Sequence, residues 1–181
     1  MQRRSRGFTL VEAVVGMGVL GITLGIALPT YASFSAKARD ASVHTALVVT
    51  LQRAATLAVA SGKRVVICPS RDASRCGDGI DWSGGWIAFV DADGNRARAP
   101  DEPLVHVEAR EDDGTRILGS PGRDRLVMQP RGSTGGSNTT FTICDRGNAR
   151  HASQLILANA GRWRFADAPG AAAADCAYGA L

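Results

Sequence analysis

Two hydrophobic patterns follow one another in the first sixty residues, and together they predict one long helix. Residues 8–28 are apolar except for Thr9, Glu12 and Thr23. A helix of this length can cross the hydrocarbon core of a membrane, which is about 30 Å thick. Beyond it, apolar residues recur at the spacing of one helical face, at Val43, Leu47, Leu51, Ala54 and Ala58.

We expect this helix to extend from residue 8 to about residue 60, roughly 80 Å at 1.5 Å per residue. Pro29 should kink it, and Ser61 with Gly62 should end it. The arginines before residue 8 would stay on the cytoplasmic side, so the remainder of the chain would lie outside the inner membrane. Residues 29–61 would then form an amphipathic, periplasmic half of the helix.

From residue 62 onward the periodicity changes to short β-type runs separated by Gly, Asp and Pro, which predicts antiparallel strands. Eight strands are expected, at residues 64–68, 86–90, 104–109, 116–118, 125–129, 140–144, 154–158 and 162–165. The Gly/Ser-rich segment at residues 131–139 is expected to be a mobile loop. The predicted fold class is therefore α+β, with a β-rich head at residues 62–181.

Glu12 is the one charged residue in the apolar run, and it indicates how the N-terminus is used. A carboxylate inside a membrane helix is expected to have a partner. Residues 6–12, Arg-Gly-Phe-Thr-Leu-Val-Glu, resemble the class III signal of type IV pilins and type II secretion pseudopilins. The resemblance implies that prepilin peptidase removes residues 1–7 by cutting after Gly7 and methylates Phe8. It also implies that Glu12 meets the amine of a neighbouring subunit; the alternative is an ordinary signal anchor.

Three segments of the head resemble the GspH/FimT group of minor pseudopilins. They are Val-Val-Ile-Cys-Pro at 65–69, Gly-Trp-Ile-Ala-Phe-Val-Asp at 85–91 and Gly-Arg-Trp-Arg at 161–164. The resemblance implies a pilin-like fold, in which a head of two antiparallel sheets packs against the helix. It also implies a single-pass inner-membrane protein with a periplasmic head, assembled with major and minor pilins. Two roles stay open, a minor pilin of a type IV pilus and a structural priming or tip pseudopilin of type II secretion.

Charge is distributed unevenly along the chain. The formal net charge is +4, and removal of the leader would leave 18 basic and 17 acidic side chains. Residues 72–114 hold eleven acids and four arginines, whereas residues 115–165 hold eight arginines and two acids. This asymmetry favours a basic surface that could meet a polyanion. The alternative is that the two segments lie side by side and neutralise each other.

The Gly-Arg-Trp-Arg segment indicates which polyanion this would be. Some FimT-like minor pilins of naturally competent bacteria bind DNA through a C-terminal motif of this form. The resemblance implies that Arg162 and Arg164 contact double-stranded DNA during transformation, with little sequence preference and strong salt dependence. Alternate residues of a strand share a face, so both arginines would lie together while Trp163 points inward. Arg146 and Arg150 would widen the surface if their turn is adjacent; the alternative is solvated or paired arginines without DNA binding.

The cysteines favour disulfides over a metal site. Four of them, an even number, suit an oxidising periplasm, although four allow three connectivities. We favour Cys68 with Cys76, closing a loop, and Cys144 with Cys176, tying the tail to a core strand. Zinc is disfavoured because the sequence has no C-x-x-C pair, and a β-turn is preferred to a calcium loop at residues 91–95. No cofactor, metal or catalytic residue is predicted, because the histidines lie outside any recognisable nucleophile motif.

Overall fold

The structure is a computed structural model that describes residues 9–179, without the side chains of residues 28–30 and 32–33. Its first element is helix α1, Leu10–Ser61. The predicted cleavage site, Gly7 and Phe8, lies outside the described residues. The chain forms two compact units, one ending at Ala38 and one beginning at Arg39, and α1 contributes to both.

The first unit contains the strongly apolar half of α1. The window Leu10–Ala27 has a mean hydropathy of 2.0, and none of it is buried. By length and composition it can cross a membrane. A second window, Phe34–Ser61, has a mean hydropathy of 1.3, but 33% of it is buried. Its apolar stripe packs into the head, so this stretch is an amphipathic core helix.

Helix α1 ends where the sequence predicts. It is helical on both sides of Pro29 and continues to Ser61. Gly62 follows with a φ of +66°, the left-handed conformation that commonly terminates helices.

Eight strands follow α1. Seven lie close to their predicted positions, and the strand predicted at residues 154–158 begins six residues earlier, at Asn148. The eight strands are β1 (Arg64–Pro69), β2 (Gly85–Asp91), β3 (Leu104–Ala109), β4 (Thr115–Leu118), β5 (Leu126–Met128), β6 (Thr139–Asp145), β7 (Asn148–Leu157) and β8 (Trp163–Asp167). They form two antiparallel sheets, one in the order β3-β2-β1-β5 and one in the order β4-β6-β7-β8. The predicted head of two antiparallel sheets is confirmed.

The main core lies between α1 and both sheets. All five predicted stripe positions of the helix, from Val43 to Ala58, are at most 2% exposed. They belong to one apolar cluster with inward-facing residues of both sheets, among them Val65, Trp86, Leu126, Ile117, Phe141 and Leu155. The helical period of 3.6 therefore places every stripe residue on the face that the sheets cover.

One element lies where the sequence predicts none. Helix α2, Gly170–Tyr178, packs against β4, β6 and β7 through a small cluster that includes Cys176. Nine residues are too few for a stable isolated helix, so contacts must hold it. Cys176 is bonded to Cys144, and Arg116 donates to the carbonyls of Cys176 and Gly179 over 3.1 and 2.6 Å. The other disulfide joins Cys68 to Cys76.

The Gly/Ser-rich segment at residues 131–139 is held by specific hydrogen bonds, which corrects the expectation of a mobile loop. Thr134 is 0% exposed and Ser137 is 9% exposed. The Ser137 hydroxyl accepts from the Val127 N–H over 2.8 Å and donates to the Thr134 carbonyl over 2.5 Å. The Ser137 hydroxyl thus gives this segment hydrogen bonds in place of those of a regular strand ladder. The amino-acid composition of the segment does not reveal such bonds.

Candidate nucleic-acid interface

Arg164 is the second residue of β8 and Arg162 directly precedes the strand, and both side chains are exposed. Trp163 between them packs against the main core, and the Phe165 ring meets the His44 ring edge-on with centroids 4.6 Å apart. The Arg162 carbonyl still accepts the Ala158 N–H at 2.8 Å, so the pairing continues to this residue. Because side chains alternate along such a segment, we expect the two arginines to share the face opposite Trp163. Alternate residues are about 6.6 Å apart along a strand, so two adjacent guanidinium groups are presented together.

Neither of these guanidinium groups is neutralised. Within residues 9–179, the side chains of Arg162 and Arg164 make no hydrogen bond and no ion pair. Other arginines of the basic segment are used internally. Arg116 donates to backbone carbonyls, and Arg125 donates to a carbonyl at 2.9 Å and to an aspartate at 3.1 Å. The alternative in which the acidic and basic segments neutralise each other therefore holds for only part of residues 115–165, and it does not hold for Arg162 and Arg164.

Arg146 and Arg150 do not join the surface around Arg162. They lie at the turn between β6 and β7, whereas Arg162 follows the turn at the opposite end of β7. Strand β7 has ten residues, so its ends are roughly 30 Å apart. Arg146 is also paired with Asp112 at 2.7 Å. The Gly114 N–H and this arginine hold the pKa of Asp112 below its ordinary value.

A second loop lies directly against the turn that carries Arg162. Gly161 has a φ of +76°, and a Cβ atom there would overlap the carbonyl oxygen of Gly132. The Thr134 N–H donates to the Asn159 carbonyl over 2.9 Å, and their side chains are also bonded at 3.3 Å. The sequence pattern gives no sign of this close approach, because it depends on a segment far away in the chain.

A serine, a histidine and an aspartate meet beside a cleft of about 710 Å³ between α1 and β8. His44 Nε2 lies 2.7 Å from Ser153 Oγ, which donates to Asp40 over 2.5 Å. Asp40 also faces Nε2, at 3.6 Å, while Nδ1 has no hydrogen-bond partner among the described residues. A catalytic triad needs the carboxylate on the other nitrogen, so this geometry does not activate the serine. Burial lowers the pKa of His44, and the weaker effect of Asp40 opposes it.

The segment compared with a calcium loop brings three carboxylates together. Three carboxylate oxygens lie within 4.8 Å of one another, one from each of Asp91, Asp93 and Glu102. Both oxygens of Glu102 already accept backbone N–H groups, at 2.7 and 3.0 Å, and Asp91 accepts the Gly94 N–H at 2.8 Å. Arg64 lies 3.8 Å from Asp91 and offsets part of the charge. These bonds shape the loop, whereas Oδ2 of Asp91 is buried without a hydrogen-bond partner among the described residues.

Comparison with known families gives the assignment. The family model for the type II transport protein GspH matches residues 45–161, more than half of the chain. The chain belongs to the GspH family. A second model, the prokaryotic N-terminal methylation motif, matches residues 2–28 of this GspH-family protein. Together with the fold, these matches confirm a type IV minor pilin or pseudopilin of the GspH/FimT kind.

Two known proteins resemble this chain, one in sequence and one in fold. The pilin-like protein PilA1 of Thermus thermophilus is 26% identical over 165 residues, which cover 88% of this chain and 97% of PilA1. The crystal structure of the type IV minor pilin FimU of Pseudomonas aeruginosa matches with a TM-score of 0.52 at 21% identity. That match covers 72% of this chain and 88% of FimU, and it shows the pilin-like fold. Membership implies a structural subunit that is processed as a prepilin and associates with other pilins.

Proposed function

We propose that this GspH-family protein is a minor subunit of a type IV pilus that binds double-stranded DNA non-specifically during DNA uptake. The observation that carries the proposal is the exposure of Arg162 and Arg164 on one face, without a hydrogen bond or ion pair among residues 9–179. A guanidinium group offers planar donors that match phosphate oxygens. A subunit that contacts only other pilins through its core helix does not need such a pair.

The surroundings of the two arginines also favour phosphate binding. Arg164 lies opposite Ile156 in the ladder between β7 and β8, and Trp163 anchors the strand in the core. The backbone beneath the guanidinium groups is therefore fixed, so less entropy is lost on binding. Each phosphate contact contributes about 0.9 to the slope of log affinity against log salt. These two contacts alone lower the affinity about twelvefold between 50 and 200 mM salt.

Equilibrium titration tests this proposal. The full-length mature protein in a nonionic detergent would be titrated into fluorescein-labelled duplex DNA of mixed sequence, with anisotropy as the readout. We expect the Arg162→Ala/Arg164→Ala variant to lose binding. The Arg146→Ala/Arg150→Ala variant removes the same charge at the other end of β7 and should bind like the wild type. Absence of binding by the wild type at 50 mM salt, or equal binding by all three proteins, would overturn the proposal.

The N-terminal segment is proposed to direct processing and assembly. Residues 1–7 act as the leader, cut after Gly7, and Phe8 becomes the methylated N-terminus. Thr9 begins the helix by accepting the Glu12 N–H on its hydroxyl at 3.3 Å. The exposed carboxylate of Glu12 lies in the membrane-anchoring segment, where it requires a partner. The new amine of a neighbouring subunit supplies one.

Two variants separate processing from assembly. Gly7→Leu should keep the leader, which intact-mass measurement of the purified protein would detect. Glu12→Gln keeps the size of the side chain and removes its charge, so it should be processed normally but be missing from filaments sheared off the cells. Wild-type amounts of Glu12→Gln in the sheared filaments would contradict the proposed role of the carboxylate.

A second candidate is a structural pseudopilin of a type II secretion system. The family is that of the type II transport protein GspH, which favours a role in secretion. PilA1 is a pilin-like protein and FimU is a type IV minor pilin, which favours a role in a pilus. A deletion strain distinguishes the two. Loss of surface pili with normal export of a secreted enzyme supports the pilus, and the reverse result supports secretion.

A further inference from the structure

We propose that Arg131 is a third phosphate contact, so that two loops rather than one motif form the DNA-binding surface. This inference rests on the proposed function. Arg131 lies between β5 and β6, and its side chain is exposed. Within the part of the chain that the structure describes, this side chain has no hydrogen bond and no ion pair. Like Arg162 and Arg164, it carries a charge that pairs with none of the described residues.

The close contact between Gly132 and Gly161 places Arg131 beside Arg162. At this contact the two backbones approach so closely that position 161 has no room for a Cβ atom. Each arginine is the chain neighbour of one contact residue, and neighbouring Cα atoms are about 3.8 Å apart. The Cα atoms of the two arginines therefore lie within about 15 Å of each other. Two long side chains at this separation can reach phosphates of the same duplex segment.

The loop that carries Arg131 is fixed relative to the turn that carries Arg162. Thr134 is 0% exposed, and its N–H and hydroxyl are bonded to Asn159 at 2.9 and 3.3 Å. On the other side of Arg131, the Gln129 N–H donates to the Ser133 carbonyl over 2.8 Å. The backbone that carries Arg131 is thus arranged before DNA binds, which reduces the entropy lost on binding.

Both loops lie at the end of the head where α1 ends. A Cβ atom on Gly132 would be 3.9 Å from Cγ2 of Val59, near the last turn of the helix. Lys63, two residues beyond the end of α1, is exposed and makes no side-chain hydrogen bond or ion pair among residues 9–179. Three chain segments therefore place positive charge at this end of the head, which suits the extended phosphate backbone of a duplex.

Arg150 provides a matched control for Arg131. Its side chain is also exposed and also unpaired among the described residues, but it lies at the opposite end of β7. We expect Arg131→Ala in the full-length protein to weaken duplex binding about tenfold at 50 mM salt, because one charge-assisted hydrogen bond is lost. The salt slope should fall by about 0.9. Arg150→Ala should change neither quantity, and Arg131→Lys should retain most of the binding.

The outcomes separate this inference from the function on which it rests. If Arg131→Ala binds as tightly as Arg150→Ala while Arg162→Ala/Arg164→Ala does not bind, the third contact is wrong and the proposed function stands. If the wild type does not bind duplex DNA, both are wrong. Because the Arg131 side chain is exposed and unpaired, all variants should unfold at the wild-type temperature, so a weaker affinity would report the lost contact.

Discussion

The contact between Gly161 and Gly132 leads to a quantitative prediction for Gly161→Ala. Gly161 has a φ of +76°, a conformation that disfavours any residue with a Cβ atom. The new Cβ atom would also overlap the carbonyl oxygen of Gly132. That oxygen belongs to the backbone and cannot rotate away as the end of a flexible side chain can. One of the two loops must therefore move.

Two contributions determine the size of the effect. Forcing an alanine into the left-handed region costs about 1–2 kcal/mol. Moving the loops apart breaks the bond of 2.9 Å between the Thr134 N–H and the Asn159 carbonyl, which contributes about 1 kcal/mol more. The unfolding free energy should fall by about 2–3 kcal/mol in total. For a head of this size the melting temperature should drop by about 10 °C.

Gly136→Ala measures the cost of placing an alanine in the left-handed region without a backbone overlap. Gly136 also has a positive φ, +90°, but a Cβ atom there would meet no atom within 4 Å. Thermal unfolding of the full-length protein in detergent, followed by tryptophan fluorescence, would compare both variants with the wild type. We expect Gly161→Ala to melt several degrees below Gly136→Ala and to bind DNA less tightly. Equal melting temperatures for the two variants would contradict the importance of the close approach.

Three further predictions concern the head. Thr50→Val removes the acceptor of the buried Trp86 N–H, which is 2.9 Å away, and should lower the unfolding free energy measured in urea by about 1–3 kcal/mol. Thr50→Ser keeps the hydroxyl and should unfold with nearly the wild-type free energy. Removing the disulfide between Cys144 and Cys176, which are 32 residues apart, should cost about 3–4 kcal/mol and expose α2 to proteolysis; an α2 that resists proteolysis would contradict its dependence on the bond. Burial lowers the pKa of His44 from 6.5, so the unfolded chain takes up a proton at higher pH than the folded chain. Stability should therefore fall as the pH drops below about 6.5, and His44→Gln should show a shallower decline in melting temperature between pH 7.5 and 5; an identical decline would contradict this assignment.

Local periodicity predicts the scaffold well. The stripe from Val43 to Ala58 is recognisable because its spacing is a property of one helix, and the position of Gly62 marks the end of that helix. The strands are recognisable because turn residues separate short β-type runs. Helix α2 is not recognisable from the sequence, because an alanine-rich segment of nine residues has no hydrophobic periodicity that marks it as a helix. The bond to Cys144 and the contacts of Arg116 hold it in place.

The candidate site is predictable only in part, because local periodicity does not show which distant segments of the chain meet. The shared face of Arg162 and Arg164 follows from the alternation of side chains along a strand. The sequence places Arg146 and Arg150 near them only if their turn is adjacent, and it predicts the following strand at residues 154–158. The real strand begins at Asn148, and its additional length separates the two turns. Polar residues at its beginning conceal the strand period, and the packing of residues 129–134 on the neighbouring turn is visible only in the fold.

Chemical protection measures directly whether DNA lies against the face of Arg162 and Arg164. Arginines of the full-length protein would be modified with phenylglyoxal, with and without duplex DNA, and the modified sites quantified by mass spectrometry. We expect DNA to protect Arg162, Arg164 and Arg131 and to leave Arg150 as reactive as before. Protection of Arg150 without protection of Arg162 and Arg164 would contradict this expectation.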